Sequence, residues 1–405
     1  MSLLARRRAV AAFLAFAFAY FFSALLRAIT ATLAPTLTAE FALNARDLGL
    51  LAGGYFIGFA ATQLPLGSWL DRYGPKQVIN GFLLLAIAGC IAFSLATSFS
   101  GLLAARVLCG VGVSACLMAP LTGFRRWLSP PTQLRANSWM LMTGSFGMLA
   151  STLPVQWLMP LVGWRPLFWG LAALILLSIA LIAWSVPAWH GGQPTGEPAQ
   201  PASYREVWAH PYFRRLVPIG AVCFGGMLAM QTLWAGPWMI RVSGYPPLKA
   251  ATGLFIINAA MLCTFLGWGL VMPWLTRKGI GATRLIAWGT PLSFIVLAGI
   301  IVAGPRAGAV AWALFCMSST FLSLAQPAAA MAFPPSLAGR ALSAYNLAIF
   351  IGTFVVQWGI GLLVDAFGAI GWSEPASFRG AMAVFLAAGM LSYGWFLRAA
   401  DNSGP

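Results

Sequence analysis

Acidic side chains are nearly absent from this 405-residue chain. Eight carboxylates (Glu40, Asp47, Asp71, Glu197, Glu206, Asp365, Glu374 and Asp401) and two histidines (His190 and His210) are all it carries, and charged residues make up 8% against 60% hydrophobic. So little charge cannot coat a water-facing globule of this size. The shortage also removes chemistry. Hydrolysis or group transfer needs a nucleophile beside a base, or a metal cluster, and no deep carboxylate or histidine stands ready for either. No enzyme activity and no cofactor are expected. Cysteine is sparse as well, and all six (Cys90, Cys109, Cys116, Cys223, Cys263 and Cys316) lie in apolar runs as small hydrophobes, which excludes a disulfide framework. The net charge of +16 is not a nucleic-acid footprint, because no basic run is interleaved with aromatic residues in a soluble segment.

What the chain has instead is long runs without charge. A hydrocarbon core about 30 Å thick takes roughly 20 apolar residues of helix per crossing. Residues 9–26, 48–70, 77–105, 107–124, 136–164 and 166–189 meet this in the first half, and 216–240, 250–276, 285–305, 307–339, 341–364 and 380–397 in the second. Twelve transmembrane helices are therefore expected, in an all-α polytopic membrane protein. Lys and Arg near span ends mark the cytoplasmic side. With both termini inside, 16 of the 24 basic residues fall there and six fall outside. Basic inner loops facing anionic lipid headgroups account for the net charge.

Residues 187–215 stand apart. They hold both histidines, begin with a Pro- and Gly-rich stretch, and separate six spans from six. They read as a cytoplasmic linker, helical from Tyr204 to Phe213, between a first bundle (1–186) and a second (216–405). The halves echo each other at an offset of 205 residues: Arg72 and Gly74 match Arg277 and Gly279, while Pro130, Arg135, Ala136, Ser138 and Gly147 match Pro335, Arg340, Ala341, Ser343 and Gly352. A constant offset across two loops indicates a duplicated six-span unit, and an even number of crossings gives both copies the same orientation.

The stretch GSWLDRYGPK, Gly67 to Lys76, fits the G-x-x-x-D-R-x-G-x-K/R signature of the major facilitator superfamily, at the place where that family carries it. RVLCGVGVSA, with Arg106, Gly110, Gly112 and Ala115, resembles the family's fourth-helix R-x-x-x-G-x-G-x-x-A pattern. Two departures stand out. Thr276 occupies the repeat position of Asp71, and the fifth span, GSFGMLASTLP, lacks the full glycine-proline pattern of drug/proton antiporters. The resemblance implies two six-helix bundles and a secondary transporter of a bacterial cytoplasmic (inner) membrane; symport is one expectation, beside facilitated diffusion and exchange, since the acids nearest the spans, Glu40, Asp47 and Asp365, stand only near outer helix ends. It implies a monomer whose partners are membrane lipid and a small-molecule substrate. It also implies a latch: Asp71 lies near the start of the eleventh helix, where unpaired N–H groups favour an anion. Arg72, Arg135 and Arg340 would add or exchange ionic contacts as the inner side opens and closes. Gly67 is expected to let a neighbouring helix come close.

An intramembrane charge is the default pointer to a transport site, because burying one costs at least about 2.5 kcal/mol. Only Arg27 and Arg106 qualify. Tyr20, Ser23, Arg27 and Thr30 follow helical spacing and give the first span one polar face. The family lines its cavity with the first, fourth, seventh and tenth helices, which would bring Arg27 and Arg106 together with Gln231, Trp234, Ser319, Ser323 and Gln326. With no acid deep in any span, such a cavity is a positive well suited to an anionic, carboxylate- or phosphate-bearing solute, since a guanidinium grips either through two parallel hydrogen bonds. Four readings compete with this. Arg106 could be structural, and Arg27 could reach to the outer interface. Cys223, Met227, Met230, Met261 and Cys263 could form a soft site for copper import. A receptor that binds without translocating would use the same cavity.

Overall fold

The computed structural model describes residues 4–188 and 204–401. Among the described residues there are helices and no strands, as a lipid solvent dictates: each backbone N–H must find its carbonyl within its own segment. Ten helices of the described residues are long and apolar enough to cross a membrane. Pro131–Ala150 and Leu153–Val162, bent by 44° at a short break, meet the same test together and make an eleventh if they are one span. The remaining expected span, 48–70, falls on Ala45–Ala61 and on the start of Gln63–Leu95, a helix broken at Gly74. This is consistent with twelve crossings. The seventh-span helix begins at Pro211, inside the stretch expected to be linker, and a separate short helix, Tyr204–Ala209, precedes it. Residues 189–203 of that stretch lie outside the described residues.

The internal repeat is visible in the backbone. Gly74 and Gly279 both sit at positive φ, 77° and 71°, where a side chain would be strained, so each copy turns after its second span in the same way. Gly147 packs on the Phe21 carbonyl as Gly352 packs on that of Ala221; a Cβ there would come within 2.2 and 2.1 Å. The fifth span thus meets the first as the eleventh meets the seventh. At Gly67, by contrast, a Cβ would meet nothing within 4 Å, so the close approach expected there is not made in this conformation.

Compactness divides the chain into two units. One holds the described residues through Ile29 and from Gly54 to the end of the sixth span. The other holds Thr30–Gly53 with the second half. The reason lies partly in length: the first-span helix, Arg6–Phe41, is 36 residues or about 54 Å long. Its far end and the start of the second span therefore belong with the second set of helices.

Candidate functional site

In the first unit two arginines are held by one face of the second span. Tyr55 and Phe59 are four residues apart, one helical turn. The Arg106 guanidinium lies over the Tyr55 ring at 5.0 Å, and that of Arg27 over the Phe59 ring at 5.7 Å. The Tyr55 hydroxyl donates to the Ser23 carbonyl (3.1 Å), and Arg27 stands beside the hydroxyls of Tyr55 and Tyr20. Gly110 and Gly112 fix the fourth span: a Cβ on Gly110 would be 2.0 Å from the Tyr55 carbonyl oxygen, and one on Gly112 2.2 Å from the Ala86 nitrogen. Small residues here let Arg106 reach the second span at all.

The two guanidiniums differ in their surroundings. Arg106 is wholly buried and donates from Nη1 to the Leu26 carbonyl at 2.8 Å, while its Nε and Nη2 are buried without hydrogen-bond partners among the described residues. Arg27 is half-buried, and its Nε is sealed from solvent without a hydrogen-bond partner among the described residues. Arg27 is thus the more accessible of the two, while Arg106 ties the fourth span to the first. Tyr20 is buried beside Arg27. Sequence reasoning missed Tyr55 and Phe59; the available signal was an aromatic pair at helical spacing on a glycine-rich span.

The candidates of the second unit lie where helices depart from α geometry. Gln231 and Trp234 fall in a π-helical turn, Met230–Trp234, and Ser323 in a 3₁₀ turn, Ser319–Leu324, with Gln326 just after it. Such irregularities inside helices frequently accompany function. Gln231 donates to Asn258 Oδ1 (3.0 Å), and Gln357 donates to Thr232 Oγ1 (2.9 Å) while its own Oε1 is buried without a partner. Trp234 is sealed, its indole N–H committed to the Gln357 carbonyl at 3.0 Å. Gln326 bonds Asn346, and the Ser323 hydroxyl is turned back to the Thr320 carbonyl. Asn258, Asn346 and Gln357 were not singled out in the sequence, because amides carry no charge to mark them.

The sulfur candidates lie in different surroundings. The Cys223 thiol lies 3.3 Å from Ser392 Oγ, Met227, Met230 and Met261 fill the apolar core, and Cys263 is exposed. Met227→Leu nearly conserves volume but deletes the thioether. It is expected to leave copper accumulation in expressing cells unchanged; its loss would restore the copper reading.

Of the gating candidates, Asp71, Arg72 and Arg135 are exposed, and Arg72 stacks on Tyr73 at 5.1 Å. Arg340 is half-buried and faces Tyr204, whose hydroxyl is pushed up from its ordinary range by burial against the opposing pull of that arginine.

A guanidinium facing tyrosine hydroxyls thus lies inside a bundle of apolar helices long enough to cross a membrane. The Major Facilitator Superfamily profile matches residues 16–356, and the chain belongs to that family. It is 27% identical over 369 residues to the inner membrane transport protein YajR of Escherichia coli (strain K12), covering 88% of this chain and 75% of that one. It is 24% identical over 329 residues to the niacin transporter NiaP of Acinetobacter baylyi, covering 69% and 74%. Among solved structures, a bacterial homologue of the human lysosomal transporter Spinster, inward-facing and unoccupied, superposes with a TM-score of 0.79 at 18% identity over 98% of each chain.

Proposed function

We propose that this transporter moves a small organic anion, a monocarboxylate with an aromatic ring, across a bacterial inner membrane by alternating access. The observation that carries the reading is Arg27, a guanidinium inside a span with an unpartnered Nε and no carboxylate in the spans of its unit to neutralise it. A carboxylate supplies that charge and accepts the fork of N–H donors. The aromatic part of the reading rests on Tyr20, Tyr55 and Phe59 around Arg27, and on the relative named for niacin, a pyridine carboxylate. Symport with protons belongs to the same reading. A thermal-shift screen of carboxylates, phosphates and metal ions on purified protein, followed by counterflow of the labelled hit in proteoliposomes, tests it. Aromatic monocarboxylates are expected to stabilise the protein and to exchange. Binding without counterflow would mean a receptor, and stabilisation by phosphates or metals alone would overturn the substrate class.

The inner latch is part of the proposal. Asp71 as a carboxylate near the start of the eleventh helix would hold the cytoplasmic side closed, with Arg72, Arg135 and Arg340 exchanging contacts around it. Asp71→Asn is expected to raise cytoplasmic cysteine accessibility and to lower transport several-fold with insertion intact. Unchanged accessibility with normal transport would remove the latch.

A further inference from the structure

Asp365 lies near the end of the eleventh-span helix, Pro335–Ala369. Its carboxylate accepts the backbone N–H of Ala45 at 3.1 Å and that of Arg46 at 2.8 Å. Those are the first two residues of the helix Ala45–Ala61, whose opening N–H groups have no partner within their own helix and carry the positive end of its dipole. The main chains meet at the same place. A Cβ on Gly361 would fall 2.3 Å from the Ala45 carbonyl oxygen, and one on Gly49 2.4 Å from that of Gln357. A cavity of about 310 Å³ adjoins the contact, lined by Asp365, Asn44, Trp234, Trp372 and Ser377 among others. The Ser377 hydroxyl is 1% exposed and has no hydrogen-bond partner among the described residues.

The other charged groups here are engaged elsewhere. On the second span Arg46 and Asp47 pair with each other at 3.5 Å, and Arg241 at the end of the seventh pairs with Glu374 of the twelfth at 2.5 Å. Arg379 donates to the Ile301 carbonyl, and Glu40 of the first span has its own interaction. The counter-charge of Asp365 is therefore the helix start itself. By the count of basic residues this is the outer side, the opposite face from Asp71.

We propose that the Asp365 carboxylate is an outer latch whose ligand is the start of the second span. Its charge holds the two N–H donors against the eleventh span and keeps the outer side shut. Without that charge the pull on the two donors is lost, the helices separate, and the buried Ser377 beside the cavity becomes accessible. With the latch proposed for Asp71, the second and eleventh spans would each supply a carboxylate to the other's helix start, one at each membrane face.

A Ser377→Cys reporter in whole cells, labelled with a membrane-impermeant thiol reagent, reads the open fraction; cells without the reporter give the blank. The reading is the ratio of labelling rates, variant over parent, at one fixed pH. A ratio of about 10 is expected for Asp365→Asn. Gly361→Leu forces the backbones apart while keeping the carboxylate, and should raise the ratio in the same way if Asp365→Asn does not fold. A ratio of 1 in a folded variant overturns the latch.

Discussion

Arg27→Gln is expected to weaken binding of an aromatic monocarboxylate by roughly 10- to 100-fold, because a hydrogen bond to a charged group is worth about 1.5 to 3 kcal/mol. The variant should insert normally, since a span that loses a charge partitions more readily into lipid. Arg27→Lys keeps the charge but loses the planar fork and should fall between the two. Affinity measured by calorimetry on the three purified forms decides the matter. If Arg27→Gln binds as tightly as the parent, the guanidinium is not the substrate ligand and the solute is neutral or cationic. Arg106→Gln separates the roles of the two arginines. Arg106 is sealed and bound to the Leu26 carbonyl, so its loss should lower thermal stability along with transport. Arg27 is half-buried with an unpartnered Nε, so its loss should spare stability.

The spans were legible because lipid imposes a one-dimensional rule: twenty apolar residues and no charge. The repeat was legible because Gly74 and Gly279 need a backbone conformation that few other residues adopt. Both arginines were legible for the same reason as the spans, since a charge in an apolar run is conspicuous. What sequence could not supply was the partner of each charge. Tyr55 and Phe59 look like ordinary apolar filling until the second span turns them toward Arg106 and Arg27. Asn258 and Gln357 are uncharged and scattered in sequence, and they matter only because π-helical turns bring Gln231 and Thr232 to them. Asp365 was visible as an acid near a helix end, but its partners are main-chain N–H groups 319 and 320 residues away, which no side-chain pattern encodes. Gly67 errs in the other direction: the small residue was read as a packing site, and in this conformation it faces open space.

Gly112→Leu is expected to abolish recovery of folded protein. A Cβ at Gly112 would lie 2.2 Å from the Ala86 nitrogen, 2.5 Å from its Cα and 2.7 Å from its Cβ. Two of these are backbone atoms of the third span, so no side-chain rotation relieves the clash, and the third and fourth spans must part by about 1 Å or more. Overpacking of this kind costs about 1 to 3 kcal/mol even where neighbours can give, and here the loss extends to the site. Arg106 is six residues away on the same helix, and its bond to Leu26 and its place over Tyr55 depend on the fourth span keeping its present depth and rotation. Displacing it would leave a buried charge without its one hydrogen bond, at a further cost. Gly267→Leu is the matched control, since a Cβ there meets nothing within 4 Å and the new side chain has room. Size-exclusion profiles in detergent should show a monodisperse peak for the parent and for Gly267→Leu, and aggregate or no protein for Gly112→Leu. A monodisperse Gly112→Leu with parental thermal stability would mean that the third and fourth spans are not packed backbone to backbone, and with that the placement of Arg106 would fall.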